Sequence, residues 1–386
     1  MVENLQKEDQ DEILHVLNRS FSHGPTRYED AHIADFGANL PAMWFGDPSR
    51  ETCHLGIREN GKIQALLGVY PILTKIAGEE VLFCTIGNVA TLPEARGKGL
   101  MKELMKAAIT KAENLGIVAA RLGGLRSRYN RWGFEHAGSI IHARFTQRNA
   151  AENVDFPELH LKELREEDRL GLSFARACHE RKGFYCPRQP DIDFYYILKA
   201  WQCKPWLVYD EKEQPVGYLS VSPEGFTITD WGVDLGISPC QLSSAYLKEH
   251  PEIKEVTFEV QPTDLDGCED VLKYAECWWE DSPSMFRIFQ WDCLLSPLMK
   301  LASETRGLPD GCLKLEIKEW GTLEMKVESG VPTVHKVHSK PEMTISGLEA
   351  TACLLGNSPK KILLPYSRPE NAWFPLPLTW NGQDRV

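Results

Sequence analysis

With 386 residues, 42% of them apolar, the chain can bury more than one core, and its length argues for two or three domains. A formal net charge of -12 repels phosphate surfaces, which excludes broad nucleic-acid or anionic-membrane binding and leaves a cationic small molecule as a compatible partner. No stretch approaches the roughly 18 uninterrupted apolar residues of a membrane-spanning helix, and the polar run after Met1 cannot serve as a signal peptide, so a cytoplasmic protein is expected.

In chain order, Ile13, Leu14, Leu17 and Phe21 fall on one face of a helix. Strands follow over 54–58 and 63–70, joined by the turn Glu59-Asn60-Gly61-Lys62. The alternation of Val81, Phe83 and Thr85 predicts a third strand, reaching Thr91 and feeding a loop. From Leu100, the residues Met101, Leu104, Met105, Ala108, Ile109, Ala112 and Leu115 share one side of a helix that stops at Gly116. Ile117-Val118-Ala119-Ala120 then returns as a strand, so the unit is α/β. Residues 147–157 read as a polar linker. Beyond it come a helical stretch over 161–181 and strands over 206–209, 216–221 and 253–260. The stretch from Trp231 to Gly236 has neither the basic residue nor the clear helix expected after a second phosphate loop, which gives the middle segment an architectural role. The last segment opens with a short helix at Leu295, Leu298, Met299 and Ala302. It continues with strands over 312–317 and 323–327 and a helix over 347–355. The tail Trp373-Phe374-Pro375-Leu376-Pro377-Leu378-Thr379-Trp380 should be packed, since each large apolar side chain left in water forgoes roughly 1.5–3 kcal/mol.

The eleven cysteines, Cys53, Cys84, Cys178, Cys186 and Cys203 among them, lack C-x-x-C pairs and read as buried free thiols. His335 and His338 have no acidic or cysteine partner beside them, so no metal is expected.

Arg96-Gly97-Lys98-Gly99-Leu100-Met101 lies between a strand and an amphipathic helix. Its glycines allow a tight turn and close backbone approach, and the first helical amides favour a pyrophosphate. The G-x-G-x-x-G spacing of a dinucleotide fold fails here.

Taken whole, Asn88-Val89-Ala90-Thr91-Leu92-Pro93-Glu94-Ala95-Arg96-Gly97-Lys98-Gly99-Leu100-Met101 resembles the acetyl-CoA motif of the GNAT acyltransferase superfamily. Arg128-Tyr129-Asn130-Arg131-Trp132-Gly133-Phe134-Glu135 is similar to its later Tyr-x-x-x-Gly-Phe element. The likeness is greatest to the Eis (enhanced intracellular survival) type. It implies an α/β fold of mixed sheets: tandem GNAT-like domains over 1–150 and 151–290, the second degenerate, then a sterol-carrier-protein-like α+β domain over 291–386. It also implies acetyl-CoA as cosubstrate. Main-chain groups of Val89, Ala90 and Thr91 would hold the pantetheine arm, and the Arg96, Gly97, Lys98, Gly99, Leu100 and Met101 turn the pyrophosphate, with Met101 departing from the family's small residue.

Tyr129 is the expected general acid. A phenol with a pKa near 10 is protonated at neutral pH and can donate to a departing thiolate. The resemblance further implies that the terminal carboxylate of Val386 reaches the catalytic cleft. The expected activity is acetyl transfer to a primary amine of a small molecule or a lysine, with a homo-oligomer left open. A cofactor-binding protein without turnover is the alternative, and lipid transport by the last segment a third reading.

Overall fold

The computed structural model describes residues 1–24, 32–45, 53–153, 155–188, 191–357, 364–365 and 367–384. The first unit contains strands β1 (Val2–Asn4), β2 (His54–Glu59), β3 (Lys62–Ile76), β4 (Glu79–Thr91), β5 (Ala119–Leu122) and β6 (Glu135–Ala137). Its helices are α1 (Gln10–Phe21), α2 (Phe36–Asn39), α3 (Pro41–Phe45), α4 (Leu100–Asn114) and α5 (Arg126–Tyr129). The β2–β3 hairpin turns through Asn60 and Gly61, both at positive φ, which is the backbone that such a turn demands. Helix α1 buries Ile13, Val16 and Leu17, and α4 buries Leu100, Leu104, Met105, Ala108 and Ala112; of the expected faces, Leu14, Met101 and Ile109 are half-buried and Phe21 and Leu115, at the helix ends, are exposed.

The second unit runs β7 (Ile140–Thr146), α6 (Gln147–Glu152), β8 (His160–Glu163), α7 (Arg169–His179), β9 (Phe184–Tyr185) and α8 (Asp191–Leu198). It continues with β10 (Lys204–Tyr209), β11 (Pro215–Val221), β12 (Thr227–Val233), α9 (Pro239–Glu249), β13 (Glu255–Val260), α10 (Leu265–Tyr274), β14 (Cys277–Asp281) and β15 (Ser284–Ile288).

The two large sheets repeat one strand order. The first reads β1-β2-β3-β4-β5-β15-β6, with β9 added on β3, and the second reads β8-β10-β11-β12-β13-β7-β14. In each, one central pair is parallel, β4 with β5 and β12 with β13. The sixth strands are exchanged: β15 inserts between β5 and β6, and β7 between β13 and β14. Thus β7, which ends before position 150, belongs to the second sheet, and β15, which ends before position 290, to the first.

The third unit comprises α11 (Trp291–Arg306), β16 (Gly311–Ile317), β17 (Gly321–Glu328), β18 (Val331–Val337), β19 (Met343–Ile345) and α12 (Gly347–Leu355), with sheet order β18-β17-β16-β19. Leu313, Leu315, Leu323 and Met325 are fully buried in one core with α11 and with Phe83 and Ala119 of the first sheet. The tail is packed as expected, Trp373 and Trp380 being 0% and 2% exposed.

Three expectations are corrected. The polar linker contains α6, started by a reciprocal Thr146/Asn149 cap. The helix expected to be missing after residue 236 is present as α9, buried almost all round, with its serines among the buried residues, so no amphipathic stripe marks it. The helical stretch over 161–181 divides into β8 and α7. The five cysteines named above are free and buried, but the expectation of buried thiols fails for Cys293, which is exposed, and for Cys268, Cys277, Cys312 and Cys353, which are half-buried. Among the described residues, no helix is long and apolar enough to cross a membrane, and no group of side chains assembles a metal site.

Candidate active site

Strands β4 and β5 pair only through Phe83 with Ala119, Cys84 with Ala120 and Thr85 with Arg121. Beyond Thr85, β4 continues to Thr91 while β5 ends at Leu122, and the strands part. Among the described residues no strand pairs the β4 edge so released. On its β3 side, Leu66 faces Ala90 and Gly68 faces Gly87, so two β4 residues oppose one, a bulge that re-aims the strand. Asn88 sits in it at φ 55°. Ala90 is buried, while Val89 and Thr91 are half-buried. An open strand edge of this kind offers N–H and C=O groups to the amides of an extended ligand.

The chain then turns through Gly97 and Gly99, at φ 81° and 82°, a left-handed backbone that glycine adopts without steric cost. Gly99 is the N-cap of α4 and supplies no capping side chain. Outside the helix ladder, the amides of Gly97, Lys98, Gly99, Leu100 and Met101 have no hydrogen-bond partner among the described residues. A side chain added at either glycine would meet open space. Unpaired donors at a helix N-terminus beside such space fit a pyrophosphate. The basic side chains are otherwise engaged. Arg96 donates to the carbonyls of Thr91 (3.4 Å) and Ser20 (3.3 Å), bracing the turn, and Lys98 pairs with Glu59 at 2.7 Å. Met101 is half-buried and packs against the first core, so its bulk points away from the turn.

Helix α5 follows β5 after three residues and ends with Tyr129. Arg126 holds α5 down by two bonds to Glu135 (2.6 and 2.5 Å), joined by Asn130 at 2.9 Å. At Gly124 (φ 120°) an added Cβ would stand 3.0 Å from the Tyr129 ring, so glycine there permits the close approach. Tyr129 is 5% exposed. Burial raises its phenol above the ordinary value, with Arg128 pulling weakly the other way, and the group stays protonated at neutral pH.

Several residues at this site carried no sequence signal. Tyr70 Oη lies 2.8 Å from His54 Nε2 and accepts from Asn88 Nδ2 at 2.9 Å, linking β2, β3 and the bulge. Trp44 stacks on His54. Burial holds the His54 imidazole down at about 4, helped by Lys111, so it is neutral. Tyr70 and Met43 also line a cavity of about 60 Å3 with Arg188, Gln383 and Asp384. Arg188 binds Asp384 through Nε and Nη2, both at 3.1 Å, and Asp230 at 2.5 Å. Trp380 donates to the Asp384 carbonyl (2.9 Å) and packs on Phe83. Val386 lies outside the described residues.

The parallel pair that opens onto a glycine turn and an uncapped helix lies within the first unit. Residues 1–137 match the model of the acetyltransferase (GNAT) domain. Solved structures share the fold over nearly the whole chain. A conserved Enterococcus faecalis protein described as a probable N-acyltransferase is 16% identical, with 100% of this chain and 97% of that one covered and a TM-score of 0.65. A GCN5-related N-acetyltransferase from Anabaena variabilis is 19% identical, covering 91% and 89% at a TM-score of 0.60. Eis1 from Mycobacterium abscessus is 15% identical, covering 91% and 88% at 0.59. No curated protein matches the sequence significantly.

Proposed function

We propose that the chain is an acetyl-CoA-dependent N-acetyltransferase acting on a primary amine of a small molecule or a lysine side chain. The observation that carries this reading is the open β4 edge leading into unpaired amides at the N-terminus of α4. In this reading the main chain of Val89, Ala90 and Thr91 pairs with the pantetheine amides. The amides from Gly97 to Met101 take the pyrophosphate, while Arg96 and Lys98 brace the turn and add positive charge. When bound, the thioester supplies an activated acetyl group, and the amine attacks it directly as a free base. Tyr129 donates its phenolic proton to the departing sulfur. The Val386 carboxylate receives the amine's proton through water, a role supported by the anchoring of Gln383 and Asp384 on the cavity shared with Tyr70. At its ordinary pKa of roughly 3.3–3.7 this carboxylate is a weak base, so the water relay is part of the proposal.

The repeated strand order supports tandem GNAT-like domains that exchange one strand each. The last unit is read as sterol-carrier-like from its place in the chain and its α+β make-up. Its inward side chains pack solidly, which suits a scaffold for the tail better than a lipid carrier.

An assay of thiol release from acetyl-CoA across a panel of small amines and lysine peptides tests the activity. Amine-dependent release is expected. Tight CoA binding with no such release across the panel would establish the cofactor-binding alternative instead.

A further inference from the structure

Leu66 of β3 faces Ala90 and Gly68 faces Gly87, so Leu67 stands against both Asn88 and Val89. Asn88 takes the extra place at φ 55°, a left-handed backbone that is costly for most side chains and commoner for asparagine. The conformation at Asn88 decides the direction in which β4 runs on through Val89, Ala90 and Thr91 to the glycine turn. Its side chain is fixed as well. Asn88 Nδ2 donates to Tyr70 Oη at 2.9 Å and to Met43 Sδ at 3.4 Å, and Tyr70 Oη lies 2.8 Å from His54 Nε2. His54 faces Gly68 across the β2–β3 pair. Three adjacent strands are thereby tied by one row of neutral side chains, with the Trp44 indole stacked on His54.

Gly68 makes that row possible. A Cβ there would stand 2.0 Å from Tyr70 Oη, so a glycine opposite the bulge lets the hydroxyl lie over β3 and reach Asn88. His54, Gly68, Tyr70 and Asn88 are all buried, and a buried polar group that loses its partner is costly. The second sheet supplies the contrast. Its strands β12 and β13 pair in parallel only through Thr227 with Thr257 and Ile228 with Phe258, beside a cleft of about 510 Å3. Strand β12 bulges at the matching place, Ser220 facing Asp230 and Val221 facing Ile228, but neither Thr229 nor Asp230 has a positive φ. Asp230 is engaged by Arg188 and Lys182, with Tyr218 Oη at 3.4 Å. Beyond this bulge the carbonyls of Trp231 and Val233 accept from Lys182 (2.9 Å) and Arg181 (3.3 Å). The open strand edge goes with the neutral Tyr70–Asn88 pair, and the edge closed by its own basic side chains goes with the ion pair.

We propose that Asn88 is a positioning residue for the cofactor: its carboxamide, held by Tyr70 and through it by His54, fixes the bulge so that the main-chain groups of Val89, Ala90 and Thr91 are aligned for the pantetheine arm. The proposal rests on the cofactor reading of the β4 edge and adds to it the side chains that set that edge.

Calorimetry on the full chain compares CoA with its nucleotide half, which carries the pyrophosphate and lacks the pantetheine arm. Tyr70→Phe keeps the ring and removes the hydroxyl, whereas Asn88→Gly keeps the left-handed backbone and removes the carboxamide. Each should weaken CoA binding at least fivefold and leave the nucleotide half bound as in the parent, since the α4 turn is untouched. If Tyr70→Phe fails to fold, Asn88→Gly, which suits the backbone at that position, decides alone. Lower thermal stability with CoA affinity retained would make these residues part of the core only and would overturn the proposal. An equal loss of CoA and of its nucleotide half would also overturn it, by tracing the effect to the whole fold instead of to the β4 edge. A parent chain that does not bind CoA would end the cofactor reading and the proposal with it. CoA bound by the parent, with unchanged affinity in both variants, would overturn the proposal alone.

Discussion

Where β4 meets α4, a glycine without a side chain occupies the N-cap and the first amides stay unpaired; where β12 meets α9, Ser238, Gln241 and Asp270 take up the equivalent groups. The floors differ in the same sense. A strand tyrosine meets an Asx side chain in both, but Tyr70 bonds the neutral Asn88 beside a neutral His54, whereas Tyr218 approaches Asp230 at 3.4 Å beside the charged Arg188. One strand order thus carries an uncapped helix start in the first sheet and a self-capped one in the second. The difference lies in a handful of side chains at the strand ends, which is why fold alone does not fix function.

The largest expected effect separates the clefts by chemistry. Tyr129→Phe keeps the ring's packing and removes the proton, and turnover should fall by something like 10²–10⁴-fold with CoA affinity retained. Unchanged turnover in steady-state assays would end the acid role. A change confined to the amine KM would make Tyr129 a positioning residue.

Acid titration probes the floor of the first sheet. Folded His54 stays neutral down to about pH 4, whereas the unfolded chain takes up that proton near 6.5. The unfolded state therefore binds more protons between those values, and stability falls as pH drops through that window, by at most about 3 kcal/mol. Burial alone would raise the Asp230 carboxyl, but Arg188 and Lys182 pull it below its ordinary value. Its contribution is present above about pH 3.8 and is lost only below that. Urea unfolding from pH 7 to 4.5 should show a clear loss of stability, and His54→Gln should reduce that slope, leaving the part due to His179, whose imidazole burial likewise holds well below its ordinary value. A slope unaffected by the substitution would remove His54 as its source.

Adding one glycine after Val386 shifts the terminal carboxylate while leaving Asp384 on Arg188. Amine-dependent kcat/KM should drop at least tenfold with acetyl-CoA binding unchanged, and parental kinetics would move proton removal to another group.

The open β4 edge and its glycine turn were legible because their parts are contiguous. The strand, both glycines and the periodic helix fall within one short run, and Gly97 and Gly99 do take the left-handed backbone that their identity permits. The helix start in the second sheet was not legible, because α9 has Ser243 and Ser244 buried beside its apolar residues and so lacks a stripe. The exchange of β7 and β15 joins residues far apart in sequence, as in Phe286 beside Arg121, and no local pattern encodes such a pairing. Tyr70, His54 and Arg188 were invisible for the same reason. Each reads alone as an ordinary core or surface residue, and their meaning comes from what the sheet brings beside them. The capping pattern at Thr146 and Asn149 was readable, but the polarity around it pointed to a linker.

The finest comparison uses one substitution at two matching turns. Gly99 and Gly236 stand at φ 82° and 85°, and a side chain at either would meet open space, so the valine in Gly99→Val or Gly236→Val meets the same backbone strain, of order 1–2 kcal/mol. Loss of fold stability should therefore be similar in the two variants, and thermal unfolding measures it. Ligand binding should not be similar. At Gly99 the strained turn also carries the unpaired amides, so CoA affinity should fall by a few-fold to about tenfold as they lose their alignment. At Gly236 the turn precedes a helix already capped by its own side chains, and CoA affinity should not change. Equal CoA affinity in parent and Gly99→Val, at matched stability, would remove the cradle from the α4 turn. Equal losses in both variants would trace the effect to global strain instead of to the site.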